Sequence, residues 1–156
     1  MFLYISSSAR LNTSTNRLST AGSYLEKPFA RNYTEAKELT EAFEKAGVPL
    51  YIGHYRRALP RFLKIREMLR EGRIGKPIFI EFELNRIFSP KEAEESWLYN
   101  PVLSGGGKFY DISPHTVDIL NFLFGDMVEV EGYAKNLGTG CPLENEVELR
   151  FVTENE

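Results

Sequence analysis

A chain of 156 residues, 42% hydrophobic and 26% charged, suits one ordinary domain or two small units and has globular composition. Its formal net charge of −3 argues against a general binder of nucleic acid or of anionic membrane, both of which need a basic surface. The single cysteine, Cys141, rules out an internal disulfide and fits a reducing compartment. With no signal-peptide pattern and no apolar run of bilayer length, a soluble, cytoplasmic protein is expected.

"FLYI" (Phe2–Ile5) is a short apolar burst of the kind a buried parallel strand shows. The stretch 6–23, rich in Ser, Thr and Asn, reads as a loop or poorly ordered tract, with a weak helix as the other option. "YLEKPFARN" begins as a strand that should stop at Pro28, which cannot donate to a ladder. "NYTEAKELTEAFEKAG" is the clearest helix: Ala36, Leu39, Phe43 and Ala46 keep helical spacing, Asn32 or Thr34 can cap it, and Gly47 suits its end. "VPLYIG" follows as a buried strand, and strand, helix and strand in this order predict a βαβ unit with a parallel sheet.

Pro60 opens a second predicted helix, running to about Glu71 and ended by Gly72, with Phe62, Ile65 and Leu69 facing inward. The period then changes. "IFIEFELN" (78–85), "VEVEG" (128–132) and "EVELRFV" (146–152) alternate apolar and polar residues, as strands with one packed and one wet face do. The chain thus changes character near residues 54–60, from parallel α/β to helices on an open-faced, mainly antiparallel sheet of three strands. Its last strand reaches the end of the chain, and both ends look cut.

Three constellations could carry chemistry. Lys27, in "EKP", is predicted at the C-terminal tip of a parallel strand, where α/β sheets bind ligands. "GHYRR" (53–57) ends the next strand on the same rim, so Lys27, His54, Tyr55, Arg56 and Arg57 would form a cationic, hydrogen-bonding edge suited to a polyhydroxylated or anionic small molecule. Taken singly, each reads more simply as a surface lysine in a turn and a basic linker. "SGGGKFYDISPHTVDILNFLFGD" is the third. A helix starting after Gly107 puts Asp111, His115 and Asp118 at i, i+4 and i+7, on one stripe, although Pro114 could kink it. A carboxylate beside an imidazole favours the charged ring and fixes its tautomer, as a general acid/base requires. Spacing alone slightly favours the plainer role of a helix cap and a buried polar histidine.

Metal binding is not indicated, since His54, His115 and Cys141 show no ligand spacing. There is no G-x-S-x-G elbow for a serine hydrolase, and a hydrolase using Asp111 and His115 is the weakest of the functional options. Ser104–Gly107 could form a phosphate nest, but no P-loop pattern accompanies it. Trp97 reads as a packing anchor.

In its motif order the chain resembles the Gfo/Idh/MocA oxidoreductases (glucose–fructose oxidoreductase, inositol dehydrogenase and relatives). The likeness lies in "LEKPFARNYTEAKELTEAFEKAGVPLYIGHYRRALP", then "GRIGKPIFIEFE", then "W…SGGGKFYDISPHTVDILNFLFGD", from about Tyr24 to at least Val152. The resemblance implies the C-terminal part of a Rossmann-like NAD- or NADP-binding domain over residues 1–56. A substrate and catalytic α+β domain, with helices on one face of an open sheet, would occupy residues 57–156. The implied reaction is hydride exchange between a nicotinamide and a sugar, polyol or related hydroxyl carbon. Lys27 would lie beside the nicotinamide ribose and the reacting hydroxyl, with Glu26 and Pro28 as its cofactor-side neighbours. His115 would be the proton donor and acceptor, Asp111 a substrate or orienting contact, and Arg57 a rim arginine joined by His54 and Tyr55 at the substrate.

The departures matter as much. The G-x-G-x-x-G turn and the acidic residue that reads the ribose are absent, and "FLYI" looks like the family's fourth strand. Asn12 stands near the place of a family histidine, and late strands of the C-terminal sheet are missing. Feeble NAD(P) binding, or none, is therefore expected of this chain, read as a truncated enzyme. The competing reading is a non-enzymatic remnant that forms homo-oligomers through its open sheet.

Overall fold

The computed structural model describes residues 3–5, 22–85, 89, 91, 96–138 and 140–154. Most of the Ser/Thr/Asn-rich stretch, including Asn12, lies outside them.

Three short strands open the fold: β1 (Leu3–Ile5), β2 (Ser23–Leu25) and β3 (Leu50–Ile52), paired in parallel in the order β1-β2-β3. Helix α1 (Tyr33–Ala46) connects β2 to β3. The Asn32 side chain accepts the Glu35 N–H at 2.9 Å to cap its start, and Gly47, in the left-handed conformation at φ 64°, closes it. Its buried face supplies Leu39 and Phe43, which pack with Leu25 and Val48 into the core of this unit. That arrangement is the βαβ unit the sequence predicts.

A 3-10 turn (Tyr55–Ala58) leads into α2 (Pro60–Arg70), which Pro60 opens as expected. None of its residues is fully buried and Ile65 is exposed, so the predicted inward stripe is only half covered. A second 3-10 turn (Trp97–Tyr99) and α3 (Pro101–Ser104) precede the long helix α4 (Lys108–Phe124). The packing anchor of this region is Tyr99, buried with Cys141 and Leu143, whereas Trp97 is 45% exposed, contrary to the expectation for it.

Helix α4 begins where the glycine run predicts and continues through Pro114, which costs it only the N–H that Tyr110 O would have accepted. The glycines are needed for close packing. A Cβ on Gly105 would stand 2.9 Å from Arg31 O, and one on Gly107 would stand 2.7 Å from Glu144 O. The Gly107 N–H donates to the Glu144 carboxylate, placing a negative charge at the helix N-terminus. The run is therefore filled by protein.

Strands β4 (Met127–Lys135) and β5 (Glu146–Thr153) form an antiparallel hairpin. The expected third strand over 78–85 is not formed: this segment has no ladder partner, and Ile78 and Phe79 are 100% and 81% exposed. Alternation prepares a strand, but only a neighbouring backbone completes one. The fold is thus mixed, a parallel βαβ unit followed by helices and an open antiparallel sheet. No helix among the described residues is long and apolar enough to cross a membrane.

Candidate functional site

The loop leaving β2 and the first half of α4 meet directly. Lys27 Nζ donates to the Asp111 carbonyl at 2.6 Å and to Asp111 Oδ1 at 3.2 Å, across 84 residues of sequence. The Lys27 side chain is 16% exposed and that of Asp111 27%, so the pair is largely shielded from water. Two further bonds tie this loop to the helices: Tyr110 OH of α4 donates to Ala30 O, and Arg31 donates to Val102 O of α3 at 3.1 Å. The Lys27–Pro28 peptide is cis. The Glu26 carboxylate lies with the Tyr24 hydroxyl beside Gly53.

One turn beyond Asp111 stands His115, 7% exposed, its Nδ1 buried without a hydrogen-bond partner. Tyr55 packs edge-on against its ring, with centroids 5.2 Å apart. Burial pushes the His115 pKa down, and the charges of Lys27, Arg56 and His54 push it further, to about 4 against an ordinary 6.5; Asp118 alone opposes them. The sequence predicts an imidazole held charged by Asp111. The ring is instead held neutral, because the Asp111 carboxylate is taken by Lys27 and desolvation outweighs what remains.

A further turn on, Asp118 carries a carboxylate only 7% exposed. Arg57 donates to its Oδ1 from Nε at 2.8 Å, and a terminal guanidinium nitrogen stands 2.6 Å from the same oxygen. His54 Nδ1 lies 3.7 Å from that oxygen, beyond hydrogen-bond reach, and Asp118 Oδ2 is buried with no partner. The stripe predicted on this helix therefore faces both strand tips: Asp111 holds the β2 tip, Asp118 holds the β3 tip, and His115 sits between. Periodicity pointed to Asp118 but gave it no role. Its pairing with Arg57 spans 61 residues, a separation no local pattern reports.

These groups can bind a hydroxyl, donate hydrogen bonds to an oxygen that gains negative charge, and accept a proton on a neutral imidazole. Among the described residues no group of three His, Cys, Asp or Glu could hold a metal ion.

The model of the GFO/IDH/MocA C-terminal domain matches residues 62–156. "Oxidoreductase P35" of Formosa agariphila is 37% identical over 133 residues, which are 83% of this chain and 39% of that protein. The 1,5-anhydro-D-fructose reductase of Ensifer adhaerens is 33% identical over 65% of this chain and 30% of its own length. The chain thus spans about two fifths or less of these curated relatives. Among solved structures, an Agrobacterium radiobacter oxidoreductase in complex with NAD+, L-tartaric acid and magnesium superposes with a TM-score of 0.66 at 20% identity, over 86% of this chain and 38% of that one. That likeness is one of fold.

Proposed function

The chain belongs to the GFO/IDH/MocA family, and from that premise we propose that it carries the substrate side of an alcohol oxidoreductase acting on a sugar, polyol or related hydroxyl compound. The observation that carries this reading is the bond of Lys27 to Asp111 one helical turn from the buried, neutral imidazole of His115. Oxidising an alcohol removes a proton from oxygen and a hydride from carbon. A neutral His115 is ready to accept the proton. The Lys27 ammonium stabilises the oxygen as charge develops on it. Asp111 orients Lys27, and Tyr55 holds the His115 ring in place. His54 and Arg57 stand on the same rim, at the side where the rest of a polyhydroxylated substrate would lie.

The hydride acceptor implied by the family is NAD or NADP, with Glu26, Lys27 and Pro28 at its nicotinamide end. The sequence has no G-x-G-x-x-G turn to cradle a pyrophosphate. Its glycine run cannot substitute, because Arg31, Tyr110 and Glu144 fill the space around it. This chain's residues fit the substrate side and do not fit a whole dinucleotide.

The test follows the His115 imidazole by NMR while neutral sugars and polyols are added to the full chain, with NADH formation from NAD+ measured in parallel. At least one polyol should perturb His115 in the native chain and not in Lys27→Met. Silence of His115 to every sugar and polyol would overturn the reading, and product release without cofactor would favour hydrolysis. Association through the open sheet is the second reading, favoured by Val128, Val130 and Val152, exposed on β4 and β5; sedimentation of the chain measures it.

A further inference from the structure

The proposed reaction leaves the buried carboxylate of Asp118 without a part. Its Oδ1 takes two nitrogens of Arg57, whereas Oδ2 is buried with no partner. One helical turn back, Nδ1 of His115 is buried with no partner either. Residues three apart on a helix have Cβ atoms about 5–6 Å apart, so the carboxylate and the ring share one stretch of the α4 surface. An unpaired carboxylate oxygen in the interior is costly, and so is an unpaired ring nitrogen. Rotation of the two side chains satisfies both at once, with no movement of the helix. Asp111, which spacing nominates as the partner of this imidazole, is already bonded to Lys27. His54 Nδ1 is also buried without a partner, but it lies 3.7 Å from Oδ1, the oxygen that Arg57 occupies.

We propose that Asp118 is the positioning carboxylate of the site: His115 Nδ1–H donates to Asp118 Oδ2, which fixes the tautomer and leaves an unprotonated Nε2 for the substrate hydroxyl. The proposal rests on the reading of the cleft as a hydroxyl-oxidising site and adds the group that prepares its base. A neutral imidazole has one N–H and one lone pair, and only the nitrogen with the lone pair can take the proton of an alcohol. When Nε2 takes it, the ring carries a proton on each nitrogen and a positive charge, which Asp118 holds through Nδ1–H. Burial and the cations around the ring keep it neutral at rest, so the carboxylate selects the tautomer and not the charge. Arg57 in turn fixes Asp118, and it belongs to the 3-10 turn whose Tyr55 packs on the ring. Turn and helix thus hold the imidazole from two sides.

The experiment reads the imidazole tautomers of the full chain by proton–nitrogen NMR at neutral pH. The sequence has two histidines, so His54→Gln assigns the signals. His115 should be the Nδ1–H tautomer in the native chain. In Asp118→Asn the amide keeps an oxygen for Arg57 and sets an NH2 group where Oδ2 stood. Nδ1 then meets a donor, and the ring should switch to Nε2–H, with the ring-current shift from Tyr55 retained as proof that the cleft still folds. Asp111→Asn should leave the tautomer in place. A native His115 in the Nε2–H form overturns the assignment, and that result needs no variant to fold. A tautomer unmoved in folded Asp118→Asn, one switched by Asp111→Asn, or a change confined to His54 overturns it too. Each of these leaves the wider alcohol-oxidoreductase reading standing, since that reading falls only if His115 is silent to every sugar and polyol.

Discussion

His115 sits in surroundings that resist its protonation, and this ties the site to the stability of the fold. Above pH 6.5 the ring is neutral in the folded and the unfolded chain alike. Below it the unfolded chain takes up a proton that the folded chain refuses until about pH 4, so stability falls as pH drops from 6.5 towards 4. At ~1.4 kcal/mol per pH unit the loss is at most about 3 kcal/mol. The Arg31-paired Glu35, whose pKa is lowered from 4.5, acts only below that value and overlaps the window only at its acid end. Urea unfolding midpoints measured between pH 4 and 7 should fall towards acid in the native chain and flatten in His115→Gln; a native midpoint that stays level would show that the ring is not buried neutral. Lys27→Met should move the His115 pKa upward, since Lys27 is the largest charge acting on it after burial itself. An NMR titration of the imidazole reads this directly, and a downward movement would place Lys27 away from the ring.

At the scale of elements, helix ends carry much of the specification. Asn32→Ala removes the oxygen that accepts the Glu35 N–H and should cost about 1 kcal/mol in chemical denaturation. Gly107→Ala should cost about 1–3 kcal/mol for a different reason: its φ of −84° suits any residue, but the new Cβ would press on Glu144 O at 2.7 Å and disturb the N–H that Gly107 donates to the Glu144 carboxylate. A Gly107→Ala chain as stable as the native one would mean that α4 does not seat against that loop. The same two helices show what the sequence discloses. The bounds of α1 and α4 were readable because caps and glycines are local. The approach of Lys27 to Asp111, across 84 residues, was implied only by the family resemblance that the order of three motifs carries, since no local pattern reports a contact at that separation. The Arg57–Asp118 pair was not readable, since it depends on how α4 leans on the turn after β3. Nor was the neutral state of His115, which follows from burial and from Lys27 having taken the Asp111 carboxylate. Segment 78–85 misled because its alternation describes a surface, whereas a strand is defined by the backbone beside it.

For the whole molecule, the question is where its apolar surface goes. The βαβ unit closes its own core around Phe43, which is 2% exposed. The second part does not. Val117, Leu120 and Leu123 of α4, Ile80, Phe82 and Leu84 of the segment before it, and Leu149 and Phe151 of β5 all line one cleft of about 2220 Å³. Close-packed interiors leave voids scarcely larger than a water, so this is a gap between faces and not a core. Two consequences follow for the isolated chain. A hydrophobic dye such as ANS should bind and fluoresce at neutral pH, and the paired change Ile80→Glu with Phe82→Glu should weaken that signal while leaving the far-UV spectrum in place. Hydrogen exchange should divide the same region: amides inside the β4–β5 ladder should be protected, while those of residues 78–85, which pair with no strand, should exchange near the rate of an open chain. Protection of 78–85 equal to that of β5 would mean that the segment has joined the sheet in solution as a third strand. The dye should then find no site, and the open face would belong to the isolated protomer only in its unpaired state.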